Sequence, residues 1–261
     1  MVLATSIALG WRVAVIFVAG VAAGISNGVA GGGTFITFPT LLALGVPSLQ
    51  ANVSSSVGVV PSNFGGVHGF RRELTVHKKL FRELVPTCAL GSITGTALLF
   101  LGSESTFHSV VPWLIGSATF LFAFAPKLVA LLSKPEHHVD GHHIRRRSLF
   151  VGVFLGSVYG GYFGAGLGII LIAVLALTLP FDIFEIQGLR VALALVINTV
   201  AAVIFVIRGH LAVVAVLVLL VGALVGGWLG TLLIRRLSPR IVRGLIIVIG
   251  AATTIKLAFG H

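Results

Sequence analysis

The sequence predicts an all-α polytopic membrane protein made of two inverted repeats, each of five helical segments, with short glycine-broken helices meeting near the membrane middle. Three observations predict it. The apolar segments are about as long as a bilayer is thick, basic residues gather in short loops between them, and the order of glycines, proline and amides in the first half returns in the second. Of the 261 residues 57% are hydrophobic and 10% charged, with a mean hydropathy of +1.10; ordinary soluble proteins carry about 25% charged residues. Strand-like alternation is absent, so helices are left as the structure that satisfies the backbone in hydrocarbon.

Ten apolar segments follow in order: 12–30, 33–45, 51–70, 84–101, 108–131, 148–163, 166–180, 186–207, 211–234 and 241–259. The first has Arg12 before it and no small-residue cleavage site, so it reads as a retained segment rather than a signal peptide. The second and seventh are too short to cross about 30 Å of hydrocarbon at 1.5 Å per residue. Each follows a glycine cluster, Gly31-Gly32-Gly33 or Gly164-Ala165-Gly166, where the chain can break or two backbones can approach closely.

The repeat is read from Gly24, Gly28, the first cluster and Pro47 against Gly156, Gly160, the second cluster and Pro180, followed by Asn52 and Asn63 against Gln187 and Asn198. It divides the chain into a first transmembrane repeat at 1–132, a His/Arg-rich linker at 133–147 and a second repeat at 148–261.

The formal net charge of +11 suggests nucleic acid at first sight. Its distribution argues for topology instead, because the Lys and Arg residues collect in loops 71–83, 132–147 and 235–243. These loops are expected to be cytoplasmic, and the turn from Gly102 to Ser105 external. Five segments per half satisfy these assignments, put both termini outside and invert the halves, a common transporter plan. The partners expected are a lipid bilayer and a small anionic solute, with no nucleic acid.

Arg190 is the most informative residue, a cation within an apolar helix. One reading makes it an anion-binding charge facing a partner or a water-filled path. The other starts the helix later and lets the side chain snorkel to the headgroups. Helices starting after Gly33 and Gly166, with Gly32 in the first turn-loop, would present free N–H groups to an anion; helix packing through small residues is the alternative. Asn52, Asn63, Gln187 and Asn198 are candidate neutral donors, supported by their repeat positions. Ser55 joins them, although interhelical hydrogen bonding explains the serines better. Tyr162 flanks the second cluster.

His68 and His210 end matching helices. Either could carry protons, which leaves proton coupling open, and an interfacial place is the plainer reading. His137-His138 and His142-His143 fall in a charged loop without fixed geometry, so no metal site is expected. The lone Cys88 excludes an intramolecular disulfide or a CxxC motif. No nucleophile–base pair, nucleotide loop or cofactor motif appears, so the chain does not read as an enzyme.

The run Gly24-Ile25-Ser26-Asn27-Gly28-Val29-Ala30-Gly31-Gly32-Gly33, the apolar stretch through Pro39, and Ala51-Asn52 opening a serine-rich helix resemble the TauE/SafE sulfite exporter family, also called the toluene-sulfonate uptake permeases. Gly156 through Gly166, Asn198 and Arg208-Gly209-His210-Leu211 are similar to its second repeat. Where the family often carries a Gly-Thr-Ser-like triplet, this chain has Asn52-Val53-Ser54-Ser55. The resemblance implies a secondary transporter in the inner (plasma) membrane that exports small sulfur-containing anions, such as sulfite or sulfoacetate-like organosulfonates, by alternating access. A channel, or a transporter of other small anions such as carboxylates, is the alternative.

Overall fold

The computed structural model describes residues 2–29, 31–132, 146–233, 244 and 247–255, and these are helical apart from short turns. The helices are α1 (Val2–Val29), α2 (Thr34–Ala43), α3 (Ser48–Gly58), α4 (Ser62–Gly69), α5 (Arg71–Val76), α6 (Lys78–Leu101), α7 (Glu104–Leu132), α8 (Arg146–Tyr162), α9 (Leu167–Thr178), α10 (Ile183–Arg208) and α11 (Val213–Leu233). Stretches within α1, α6, α10 and α11 are long and apolar enough to cross a membrane, and α2 and α9 are shorter apolar helices. The outward faces carry Leu90, Leu98, Val151, Leu155, Val206, Leu217 and Leu224, all exposed, while Arg190, Asn52, Ser54 and Ser55 are buried. An apolar exterior, with the polar side chains of the spans buried among apolar ones, is the arrangement expected of helices solvated by lipid. The linker at 133–145, its histidine pairs and the basic turn at 235–243 lie outside the described residues.

Several boundaries depart from the sequence reading. The apolar run 51–70 is two helices rather than one. Pro61 lacks an N–H and cannot continue α3, and the chain tightens into three-residue bonds, Val60 N–H to the Val57 carbonyl (3.3 Å) and Ser62 N–H to that of Val59 (3.1 Å). The basic loop 71–83 is helical: α5 occupies its start and α6 begins at Lys78, not 84. The helix carrying Arg190 begins earlier than its apolar run, because Asp182 and Glu185 form a capping box. Asp182 Oδ1 accepts from the Phe184 and Glu185 N–H groups, and Glu185 Oε2 accepts from the Asp182 N–H.

The glycine clusters end one helix and start the next. Gly31 and Gly32 (φ 72° and 107°) and Gly164 and Gly166 (φ 77° and 78°) occupy left-handed backbone closed to most other residues.

Helices pair across the halves in a reciprocal way. The first helix of the first half, α1, lies along α11 of the second, and α8, the first of the second half, lies along α6 of the first. Both seams are glycine contacts. A β-carbon at Gly24 would stand 2.5 Å from the Ala223 carbonyl oxygen, and one at Gly226 2.1 Å from that of Val21. On the other seam one at Gly95 would stand 2.0 Å from the Val158 oxygen, and one at Gly161 2.3 Å from that of Ser92. Backbones this close gain dispersion contacts and interhelical hydrogen bonds, which hold helices together where lipid removes the hydrophobic drive. Between the two seams lie α2, α3 and α4 on one side and α9 and α10 on the other.

Candidate functional site

The site is built around Arg190. Its capping box sets the start of α10 seven residues earlier, so the side chain leaves the helix about 10 Å from that end. The residue is 3% exposed, and its Nε has no hydrogen-bond partner. The guanidinium points between the first glycine cluster and the first turn of α9: a β-carbon at Gly31, or at Gly168, would stand 2.7 Å from Nη1. The same β-carbon at Gly31 would lie 3.3 Å from the Gly168 Cα, so the two loops touch where the cation ends. This geometry excludes the snorkelling reading, which needs the head at the surface. Among the described residues no carboxylate pairs with Arg190; the ion pairs there are His77–Glu185 (2.8 Å) and Glu83–Arg146 (3.1 Å). The Gly168 N–H, in the first turn of α9, has no backbone acceptor among the described residues. An unpaired buried cation beside a free N–H is a place where an anion removes a desolvation cost.

Each glycine loop is tied by a polar side chain from the helix before it. Asn27 accepts from the Gly33 N–H at 2.6 Å and donates to Ser62 Oγ at 2.8 Å. Tyr159 holds in the second half the place that Asn27 holds in the first, counted from Gly156 and Gly24, and its hydroxyl donates to the Ala165 carbonyl at 2.5 Å. The loops also meet through Gly166, where a β-carbon would touch Phe35 of α2 at 3.4 Å.

The other expected residues divide. Gly32 is buried in the loop beside Gly31, and its carbonyl accepts from the Phe35 N–H at 3.0 Å. The Gly33 N–H is already held by Asn27, so it is not a free donor. Gly166 lies two residues before the open N–H of Gly168 and packs against Phe35. Asn52 is fully buried, donates to the Tyr162 carbonyl at 3.1 Å, and leaves its Oδ1 without a partner. The ring of Tyr162 lies beside Phe107, 6.0 Å between centroids. Ser55 is hydrogen-bonded to Thr37, and Ser54 Oγ accepts from the Ala212 N–H at 2.9 Å, so both join helices. Gln187 has a buried Oε1 without a partner. Asn63 donates to the Val60 carbonyl of its own turn at 3.3 Å, and Asn198 is half-buried on α10. Neither hydrogen-bonds Arg190. His68 and His210 are exposed, beside Arg71 and the Arg208 carbonyl.

Sequence reasoning missed Gly168 and Asn27 beside Arg190 and the glycine loops. A glycine two places after the second cluster and an asparagine four places before the first were the available signals.

The comparisons decide the family. The chain matches the family described as sulfite exporter TauE/SafE over residues 16–257. The protein belongs to the TauE/SafE family. A probable membrane transporter protein of Haemophilus influenzae is 24% identical over 246 residues, 94% of each chain. The probable membrane transporter protein YfcA of Escherichia coli K12 is 22% identical over 252 residues, covering 94% of this chain and 89% of the relative. The probable membrane transporter protein ORF9 of a Sinorhizobium species is 22% identical over 246 residues, 94% and 91% of the two chains. No solved structure matches. The family is one of membrane transporters, not enzymes, so Arg190 and the glycine loops are read as parts for binding and movement rather than for bond breaking.

Proposed function

We propose that this protein is a secondary transporter of the plasma membrane that exports a small sulfur oxyanion or organosulfonate by alternating access. The observation that carries the reading is Arg190: buried, paired with no carboxylate among the described residues, and ending between Gly31 and Gly168. The planar guanidinium offers paired donors to a sulfonate or sulfite, and the Gly168 N–H adds a third from the adjoining loop. One loop comes from each half, so the solute bridges them.

The reciprocal pairing of α1 with α11 and of α8 with α6 supports the inverted repeat, and so do the matching clamps of Asn27 and Tyr159. It also supports moving bodies that exchange a helix between halves: α1–α4 with α11, and α6 with α8–α10. Their shared boundary runs along α10, where Gly66 of α4 abuts Val191 and Gly188 abuts Phe70. Arg190 lies on that boundary.

The test is flux in proteoliposomes with sulfite, sulfoacetate, methanesulfonate and acetate. A transporter saturates and exchanges labelled for unlabelled solute. The expected outcome is saturable counterflow of a sulfur oxyanion, with acetate weaker. Non-saturating flux without counterflow would mean a channel, and preference for acetate would move the substrate to carboxylates.

A further inference from the structure

We infer a second, outer anion subsite at the N-terminus of α3, where the solute of the proposed transport cycle is held on the side of the membrane opposite the basic loop 71–83. A cavity of about 980 Å³ opens there, lined by Thr40, Pro47, Ser48, Glu104, His108 and Thr253 among others. Its side of the molecule is fixed by α6, whose 24 residues run from Lys78 at the basic end to Leu101 just before Glu104.

The start of α3 reaches this cavity through Pro47 and Ser48. Pro47 is the N-cap of α3 and caps nothing with its side chain. Ala51 is the first residue of the helix whose N–H finds a carbonyl, that of Pro47 at 2.7 Å. The N–H groups of Ser48, Leu49 and Gln50 have no backbone acceptor among the described residues. Ser48 supplies the independent sign of a ligand: it is 5% exposed, lines the cavity, and its Oγ has no partner. A buried hydroxyl without a partner costs about 1–3 kcal/mol. Three backbone donors, a hydroxyl and the positive end of a helix dipole ask for a ligand that only accepts, which is an oxyanion. Glu104 is the adverse charge; it is exposed at the rim, where water and salt screen it.

Beyond the subsite, the same face of α3 carries further buried polar groups. Ser48, Asn52 and Ser55 follow at i, i+4 and i+7 on one face of α3. Asn52 keeps an unpartnered Oδ1, and Ser55 reaches Thr37, one turn from Gly33. This face leads from the cavity towards the glycine loops and Arg190, so the outer subsite is the stop after Arg190 for a solute leaving the cell. The inference rests on the transport reading above.

The experiment uses Ser48→Cys in a Cys88→Ala background, purified into nanodiscs, and follows modification by a cationic thiol reagent with methanesulfonate as the probe. At about ten times its dissociation constant the sulfonate should slow modification by about tenfold. The slowing should persist in Arg190→Gln. No slowing in either background overturns the subsite, as does slowing that vanishes with Arg190→Gln, because occupancy at Arg190 would then explain it. A Ser48→Cys thiol unreactive from water overturns it too. Ser109→Cys, on the same cavity, gives the same readout if Ser48→Cys fails to fold. Normal flux by Arg190→Gln with Ser48→Cys still protected would remove Arg190 from transport and leave the outer subsite standing.

Discussion

A buried arginine in a membrane helix is costly to insert, and among the described residues Arg190 has no carboxylate to offset it. Glycine is what makes room for its head, at Gly31 and Gly168. Gly168→Ala is therefore expected to push the guanidinium aside while sparing the fold, because its backbone is not left-handed and the atom it meets is the end of a flexible side chain. The loss of a charge-assisted bond, about 1.5–3 kcal/mol, should appear as roughly 10- to 100-fold weaker sulfonate binding with an unchanged melting temperature. Early melting instead would make Gly168 a packing residue. Asn27→Ala should do the opposite. It strips partners from the Gly33 N–H and Ser62 Oγ and should destabilise by about 1–3 kcal/mol, read as a lower Tm in detergent. Wild-type melting would show that the loop holds itself.

Arg190 was legible in the sequence because a charge in an apolar run is visible one residue at a time. The contact between Gly31 and Gly168 was not, since two loops from different halves meet only through tertiary packing. The local partners of the amides were not legible either: Asn63 bonds its own turn, while Asn52 reaches the Tyr162 carbonyl on another helix.

At the scale of elements, hydropathy located the helices but not their ends. The capping box of Asp182 and Glu185 lies before the apolar run it starts, and Pro61 divides a run that hydropathy reads as continuous. The seams between α1 and α11 and between α6 and α8 were equally hidden, because glycine spacing does not name its partner helix. They give a sharp contrast. Gly24→Leu and Gly95→Leu would press a side chain into a facing backbone and should destabilise by at least the ~1–3 kcal/mol typical of overpacking. Gly10→Leu, with nothing within 4 Å of its β-carbon, should not. Thermal melting of the three purified variants checks this; equal melting would mean that the seams yield and do not bind the moving bodies.

For the whole molecule, composition and charge gave the membrane, and the glycine pattern gave the family. Repeat order proposed the two halves and the basic loops proposed their inversion, but neither foretold the pairing of α1 with α11 and of α6 with α8. Orientation has a direct check on described residues. Thr75→Cys on α5 should be protected from an impermeant thiol reagent in intact cells, and Ser105→Cys at the start of α7 labelled; the reverse would turn the molecule over and make the Ser48 cavity cytoplasmic. The central claim, that an anion is held by Arg190 between the glycine loops, is tested most directly by sulfonate binding and flux in Arg190→Gln and Arg190→Lys at matched protein amounts. The account predicts that Arg190→Gln inserts normally and loses most binding and transport, while Arg190→Lys retains a part, since charge survives and the donor fork does not. Wild-type flux by Arg190→Gln would contradict it.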